Sequence, residues 1–317
     1  MPGGGTRVFL DSDLYEAGFR QAQIQFVIAC VADFKSRLTW VELHHSQLLQ
    51  CEEDCGRIGY VSLSPRLATV SFPTHADALP RWRGSELNAG DIFFHSPGEG
   101  LHQIMPGASI WSLIMVDPAK LDEYSRAVFR KPLPLPLQGR VLRASHRDAA
   151  RLRRLHAQAC RLAETKPRVL SHPQVARAIE HDLLYALVTC LSAAKTSTQP
   201  AANRRRAAIM VRFEEVLAEH IGWPLPMSQL CELVGVKDRT LRSCCAEFIG
   251  VSPSRYLLLR RLKEVRRALR NADAHTVDVA GIARRYGFTD RGRFAAAYQA
   301  TFGEAPSATL SRPKLTS

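Results

Sequence analysis

The stretch MSQLCELVGVKDRTLRSCCAEFIGVSP (residues 227–253) recurs in outline as VDVAGIARRYGFTDRGRFAAAYQATFGEAP (277–306). Gly235 aligns with Gly287 at an offset of 52 residues, and the positions that follow align at an offset of 53. Each copy contains a short amphipathic helix, a glycine where the chain must reverse, and a second amphipathic helix. This order predicts two helix-turn-helix motifs in one chain.

Arginines lie in the first turns of the second helix of each copy. They are Arg239 and Arg242 in the first copy, and Arg291 and Arg293 in the second, where the Thr-Asp pair at 289–290 can cap the helix. The first turns of a recognition helix face the major groove, and arginine can donate two parallel hydrogen bonds to guanine N7 and O6. These four arginines are therefore the predicted base readers.

The segment between the copies, SPSRYLLLRRLKEVRRALR (252–270), predicts one long helix. It starts with serine as a cap and proline at the first helical position, and no helix-breaking residue follows. A rigid helix of this kind would let two motifs address successive major-groove faces, about 34 Å apart along B-form DNA. Its cations are not assigned individually to phosphate; they are Arg260, Arg261, Lys263, Arg266, Arg267 and Arg270.

The region 205–312 resembles the AraC/XylS family of transcription regulators. The matching elements are RTL (239–241), GVSPSRYL (250–257), RL (261–262), Ile282-Ala283, GF (287–288), Phe294 and FGEAPS (302–307). The resemblance implies a seven-helix unit in which a long helix joins two helix-turn-helix motifs. It also implies recognition helices over Asp238 to Phe248 and over Asp290 to Thr301.

Carried over position by position, the resemblance places seven residues at the DNA: Arg239, Arg242, Ser243, Arg291, Gly292, Arg293 and Ala296. Two positions depart from the family pattern. Ser243 stands where arginine is frequent, which weakens base reading by the first recognition helix, and Cys245 stands where phenylalanine is frequent, which implies a smaller core contact.

The net charge supports a polyanionic partner for this end of the chain. The 317 residues carry a formal charge of +13, and residues 201–317 hold 20 Lys and Arg against 11 Asp and Glu. Charge alone does not distinguish nucleic acid from a membrane surface. The longest nearly apolar run, residues 183–194, is too short to cross a bilayer, so we expect no membrane partner and a cytoplasmic location.

The first part of the chain predicts a β-rich domain. Short apolar or alternating runs at 38–49, 57–64, 68–73, 91–97 and 109–117 are separated by recurrent glycine and proline. The segment RWRGSELNAGDIFFHSPGEGLH (81–102) resembles the strand and turn rhythm of cupin-like barrels. The predicted fold class is therefore α+β, with an amino-terminal cupin-like barrel, a helical hairpin and a carboxy-terminal all-α domain.

A small-molecule effector site is predicted inside the barrel, because such sites combine aromatic walls with a few polar groups. The candidate residues are Trp82, Arg83, His95, His102 and Trp111. Structural roles are equally open for them. No metal or cofactor is expected, since His44 and His45 would point to opposite faces of a strand and could not hold one ion together.

The predicted division is a β-rich effector domain (1–140), a helical hairpin (141–194), a linker (195–206) and a DNA-binding domain (207–317). The proline-rich segment 131–139 marks the first boundary because proline excludes a helix interior. The hairpin's apolar stripe could cover the β domain or pair with a second copy, so a homodimer is possible. The β and DNA-binding domains are expected to have separate cores.

These observations predict a DNA-binding transcription regulator. Its partners would be double-stranded promoter DNA, RNA polymerase and a small-molecule effector, with activation as the commoner case in the family. No G-x-S-x-G, H-E-x-x-H or phosphate-loop motif is present, so the chain is not expected to be an enzyme. A regulator that lacks an effector and is controlled by a partner protein is the alternative.

Overall fold

The chain combines two antiparallel sheets with a helical carboxy-terminal part. The computed structural model describes residues 2–19, 22–28, 34–88, 90–133, 135–136, 138–193, 195–196, 201–220, 225–273 and 277–312. Strands dominate up to residue 143, and helices dominate from residue 146 onward. The predicted combination of an amino-terminal β part and a carboxy-terminal helical part is confirmed.

Thirteen strands lie in the part of the chain that the structure describes. They are β1 (Gly3–Phe9), β2 (Ala22–Ile28), β3 (Ser36–Glu42), β4 (Ser46–Glu53), β5 (Arg57–Leu63), β6 (Ala68–Ala76), β7 (Arg81–Trp82), β8 (Ser85–Glu86), β9 (Ile92–His95), β10 (Gly100–Met105), β11 (Ser109–Val116), β12 (Arg140–Arg143) and β13 (Lys195–Thr196). One sheet has the order β1-β3-β4-β11-β6-β9-β12-β13, and the other has the order β2-β5-β10-β7-β8.

Twelve helices lie in the same described ranges. They are α1 (Ser12–Ala17), α2 (Pro118–Phe129), α3 (His146–Thr165), α4 (Pro167–Leu170), α5 (Pro173–Ala193), α6 (Ala201–Glu219), α7 (Met227–Val234), α8 (Asp238–Phe248), α9 (Pro253–Asn271), α10 (Val279–Arg285), α11 (Arg291–Phe302) and α12 (Pro306–Ser311). Seven of these, α6 to α12, form the carboxy-terminal part.

The two sheets face each other across an apolar core. Phe26 and Val61 from the smaller sheet share this core with Leu49 and Trp111 from the larger sheet, and all four are buried. Strand alternation explains the arrangement, because successive side chains point to opposite faces and one face of each sheet is apolar.

The run 38–49 was predicted as one strand, and this prediction is wrong. It forms the hairpin β3 and β4, closed by a hydrogen bond from the Leu43 amide to the Ser46 carbonyl at 2.9 Å. No glycine or proline marks the turn, so the apolar pattern continues through it. His44 and His45 lie in this turn rather than in a strand, and the strand argument used for them does not apply.

Helices α3 and α5 pack against each other as the predicted hairpin. Leu152 of α3 and Leu187 of α5 are fully buried in one cluster with Val70 and Phe72 of the larger sheet. Of the two uses left open for the apolar stripe, covering the β domain is therefore the one observed. A face used in this way is not available for pairing with a second copy.

The predicted linker, 195–206, is largely structured where it is described. Residues 195–196 form β13 and pair with β12, and α6 begins at Ala201, inside the predicted linker. Residues 197–200 lie outside the described residues. The start of α6 was not predicted because Asn203 and the three arginines that follow show no helical spacing of apolar residues. The helix forms there nevertheless, because arginine and alanine have high helix propensity.

Candidate nucleic-acid interface

The first helix-turn-helix motif consists of α7, a turn at Gly235 and α8. Gly235 has φ of 74°, in the left-handed region that favours glycine, and the Val236 amide donates to the Cys231 carbonyl at 3.0 Å. Leu230 and Leu241 are fully buried where the two helices meet. The recognition helix has the bounds that the family resemblance implied, Asp238–Phe248.

The second motif repeats this arrangement with α10, Gly287 and α11. Gly287 has φ of 78°, and the Phe288 amide donates to the Ala283 carbonyl at 3.0 Å. Asp290 caps α11, because its carboxylate accepts a hydrogen bond from the Arg293 amide at 3.0 Å. The predicted cap and the start of this recognition helix are confirmed.

Helix α9 joins the cores of the two motifs. Ser252 accepts a hydrogen bond from the Arg255 amide at 3.2 Å, and Pro253 occupies the first turn, as predicted. Tyr256 and Leu259 are buried in the core of the first motif, whereas Val265 and Leu269 are buried in the core of the second. The long helix therefore fixes the two motifs relative to each other by packing both.

All seven predicted DNA-binding residues are exposed, on α8 or α11. The side chain of Arg293 is 91% exposed and lies 3.4 Å from the Asp290 carboxylate. Arg242 is paired with Asp238 at 2.8 Å. Such exposed ion pairs stabilise a protein little, so phosphate or a base edge can replace the carboxylate. The geometry leaves both recognition helices open to a ligand.

Gly287 offers a test of the turn. Gly287→Ala is expected to lower the free energy of unfolding by about 1–2 kcal/mol, because a β-carbon disfavours positive φ. Gly292→Ala is the control, since Gly292 is exposed in helix α11, and alanine there is expected to raise stability by up to about 1 kcal/mol. Denaturant unfolding measures both, and equal effects of the two substitutions would contradict the conformational explanation.

Comparison with known proteins identifies this region. The family described as "Helix-turn-helix domain" matches residues 230–312. "XylDLEGF operon transcriptional activator 2" of Pseudomonas putida is 35% identical over 104 residues, which cover 33% of this chain and 66% of the relative. "Probable thc operon regulatory protein" of Rhodococcus erythropolis is 38% identical over 96 residues, covering 30% of this chain and 29% of the relative.

The matched region therefore spans less than two thirds of either relative. The crystal structure of the AraC-like transcriptional activator CuxR superposes with a TM-score of 0.43 at 15% identity, over 82% of this chain and 94% of that one. In its carboxy-terminal region the chain is similar to transcription regulators of the AraC/XylS family.

Three of the five predicted effector residues lie together inside the β part. Trp82, His95 and Trp111 are each at most 1% exposed, and the two indole rings are 6.4 Å apart. Burial, with a contribution from the positive charge of Arg83, lowers the pKa of His95 to about 3, so its ring is neutral near pH 7. These side chains contribute to the core between the sheets.

Arg83 and His102 do not join them. Arg83 has φ of 52° in the turn between β7 and β8, and its guanidinium pairs with Glu99 and donates to the Gly139 carbonyl at 2.9 Å. Leu101 points into the core, so strand alternation directs His102 to the opposite face. The expectation that all five residues line one cavity is wrong for these two.

A buried ionic cluster inside the β part was missed by sequence reasoning. Glu53 accepts hydrogen bonds from Tyr15 at 3.0 Å, from the Trp111 indole at 2.9 Å and from Arg57 Nε at 2.7 Å. The Arg57 guanidinium lies 4.0 Å from the centroid of the Phe26 ring. The sequence signal for this cluster was the spacing of four residues between Glu53 and Arg57. It was not used because charged side chains of this kind are usually exposed.

The two halves of the molecule share a core, so the expectation of separate cores is wrong. Val27 and Ile58 of the smaller sheet are buried in the same cluster as Phe213 of α6 and Phe248 of α8. Arg81 also donates to the Glu247 carbonyl at 3.3 Å. The outer face of the smaller sheet is therefore covered by the helices of the DNA-binding half.

Glu214 of α6 is the polar centre of this interface. Its carboxylate is 2.8 Å from His102 Nε2 of β10, accepts from the Tyr256 hydroxyl at 2.8 Å, and pairs with Arg260. Desolvation alone would raise the pKa of Glu214, but the charge of Arg260 and these hydrogen bonds outweigh it and lower the pKa to about 2. The buried carboxylate is therefore charged near pH 7.

A second set of ion pairs connects α1 with α9. Glu16 pairs with Lys263, Asp11 pairs with Arg270, and Arg267 lies 3.3 Å from the Asp13 carboxylate. The sequence did not predict partners for these cations of α9. In the structure they form ion pairs with carboxylates of the β half. Lys263 and Arg270, whose side chains are 13% and 18% exposed, are consequently not available to phosphate while the halves are docked.

Among the described residues, no three His, Cys, Asp or Glu side chains gather as a metal site requires. Within the same ranges, none of the helices has the length and apolar character needed to cross a membrane.

Proposed function

We propose that the protein is a sequence-specific transcription regulator that binds double-stranded promoter DNA through α8 and α11. The observation that carries this proposal is the pair of exposed recognition helices on one rigid helix, within a region that matches a helix-turn-helix family. The proposed contacts are Arg239, Arg242, Ser243, Arg291, Gly292, Arg293 and Ala296.

In this proposal the protein is an activator that contacts RNA polymerase and responds to a small molecule. The relative from Pseudomonas putida is named as an operon activator, which supports the first part. The domains proposed are a cupin-like barrel (1–140), the helical hairpin (141–194) and the seven-helix DNA-binding domain, which begins with α6 at Ala201. A ligand in the β half would act by favouring one arrangement of the two halves.

Selection from a library of randomised duplexes tests the function. The full chain should enrich one motif containing two subsites with centres about one helical turn, or 10 base pairs, apart. Binding to that motif should exceed binding to a shuffled duplex by about 10³-fold or more. The logarithm of the affinity should also fall linearly with the logarithm of the salt concentration, because binding releases counterions from the DNA. Absence of any enriched motif would contradict the proposal.

A further inference from the structure

We propose that the cavity between β1, β3, β4 and the end of α1 binds a small single-ring molecule that carries one anionic and one cationic group. This inference rests on the proposed function and deepens it, because it assigns the chemical class of the effector and a place for it. None of the five effector candidates identified from the sequence lines this cavity.

The cavity has the size of one ring. Its volume is about 160 Å³, close to that of engineered apolar cavities of about 150 Å³ that hold benzene. Phe9, Leu38 and Leu49 form its buried apolar end, and Trp40 forms a half-buried wall. A planar apolar body is therefore the best match in size and surface.

Two glycines allow the walls of the cavity to pack closely. A β-carbon at Gly5 would lie 2.8 Å from the Trp40 ring, and a β-carbon at Gly18 would lie 3.1 Å from Phe9 and 3.2 Å from Leu38. Glycine within a strand often marks a close approach of this kind. Gly5 stands directly opposite Trp40 in the ladder between β1 and β3, so its missing side chain makes room for the indole.

Opposite charges lie at the two ends of the cavity. Arg7 is paired in register with Leu38, whereas Glu42, four residues further along β3, is paired with Gln47 of β4. At about 3.4 Å per residue, the charged positions are separated by roughly 14 Å of strand, with Trp40 between them.

Neither charge has an ionic partner among the residues that the structure describes. The Arg7 guanidinium lies over the Phe9 ring at 5.1 Å, and Glu42 forms no ion pair there. The outer face of the same sheet differs, because Arg37 and Glu52 pair with each other at 3.5 Å. A ligand with charges of both signs would satisfy both ends at once.

The cavity also adjoins the contact between the two halves. Ala17 and Gly18 at the end of α1 line it, and Asp13 and Glu16 of the same helix hold Arg267 and Lys263 of α9. A ligand that moves or fixes α1 would act directly on the helix that joins both DNA-binding motifs.

The test uses the full chain and three probes that share one ring. They are 4-(aminomethyl)benzoate, which carries both charges, benzoate and benzylamine. Calorimetric titration should show saturable binding of the doubly charged probe, at least tenfold tighter than either singly charged one. Arg7→Gln should weaken binding of the doubly charged probe and of benzoate at least tenfold, and Glu42→Gln should weaken binding of the doubly charged probe and of benzylamine.

Arg37→Gln is the matched control, because it removes a charge from β3 on the opposite face, and it should leave probe binding unchanged. Circular dichroism establishes that each variant is folded. Absence of saturable binding at millimolar concentration, equal affinity for the doubly charged probe and benzoate, or an equal loss in Arg37→Gln would overturn the assignment. The DNA motif selected by the chain is measured separately, so a failed cavity with an intact motif leaves the DNA-binding function standing.

Discussion

Glu214→Ala is expected to lower the free energy of unfolding by about 3–5 kcal/mol. Glu214 and His102 have side chains that are at most 2% exposed, and Arg260 is 18% exposed. Removing the carboxylate leaves the positive charge of Arg260 and the hydroxyl of Tyr256 without their buried partner, and the desolvation cost of these groups is no longer offset. Denaturant unfolding of the full chain measures the change.

The neighbouring Glu215 provides a matched control. Its side chain is 53% exposed and lies 3.2 Å from Arg212 in an exposed pair on the same helix. Glu215→Ala is expected to change stability by less than about 1 kcal/mol. Comparable losses in the two variants would show that the Glu214 network contributes no more than an exposed pair.

The same residue predicts a dependence of stability on pH. Because the pKa of Glu214 falls from its ordinary 4.5 to about 2 in the folded chain, its contribution is fully present above pH 4.5 and is lost as the pH falls toward 2. Glu214→Gln should flatten the decline of stability across this acidic window. A decline identical to that of the parent chain would assign the acid sensitivity to other carboxylates.

Arg291→Ala and Arg293→Ala are each expected to weaken binding to the selected DNA motif by about 5- to 100-fold. Binding to shuffled duplex should fall much less, because a contact with a base edge contributes only where the right base is present. Both side chains are exposed in the first turn of α11, so neither substitution removes a buried contact. Fluorescence anisotropy with both duplexes measures the ratio.

Arg154→Ala is the control for net charge. Arg154 is exposed on α3 in the β half, and its substitution removes one positive charge without touching either recognition helix. It should leave the preference for the motif unchanged. If Arg291→Ala and Arg293→Ala instead weaken binding to both duplexes equally, these arginines contact phosphate and the bases are read by other residues.

The DNA-binding half was predictable because its signals are local. Gly235 and Gly287 mark turns that need positive φ, Ser252 and Asp290 cap the helices that follow them, and each of these effects acts over a few residues. The internal repeat and the family resemblance then set the recognition helices almost to the residue. Local hydrogen-bonding rules suffice for such elements.

The β half was predictable only as a class. Runs of alternating residues indicated strands, but the hairpin within 38–49 has no turn residue to reveal it, and β1 begins with three glycines that disfavour a strand. The pairing of β1 depends on β3, whose partner residues lie 27 to 39 positions away in the sequence. Strand register and the position of the cavity depend on such long-range pairings, and these cannot be predicted from a local sequence pattern.

By itself, the sequence determined that this chain carries two helix-turn-helix motifs on one long helix behind a β-rich half. Only the tertiary structure decided that the halves share a core, that His102 faces Glu214 instead of a ligand, and that Lys263 pairs with Glu16, 247 residues away. Charges along a helix have the same pattern whether they face water, phosphate or a carboxylate. Their partner is set by which surfaces pack together, because burial decides which charges must be paired.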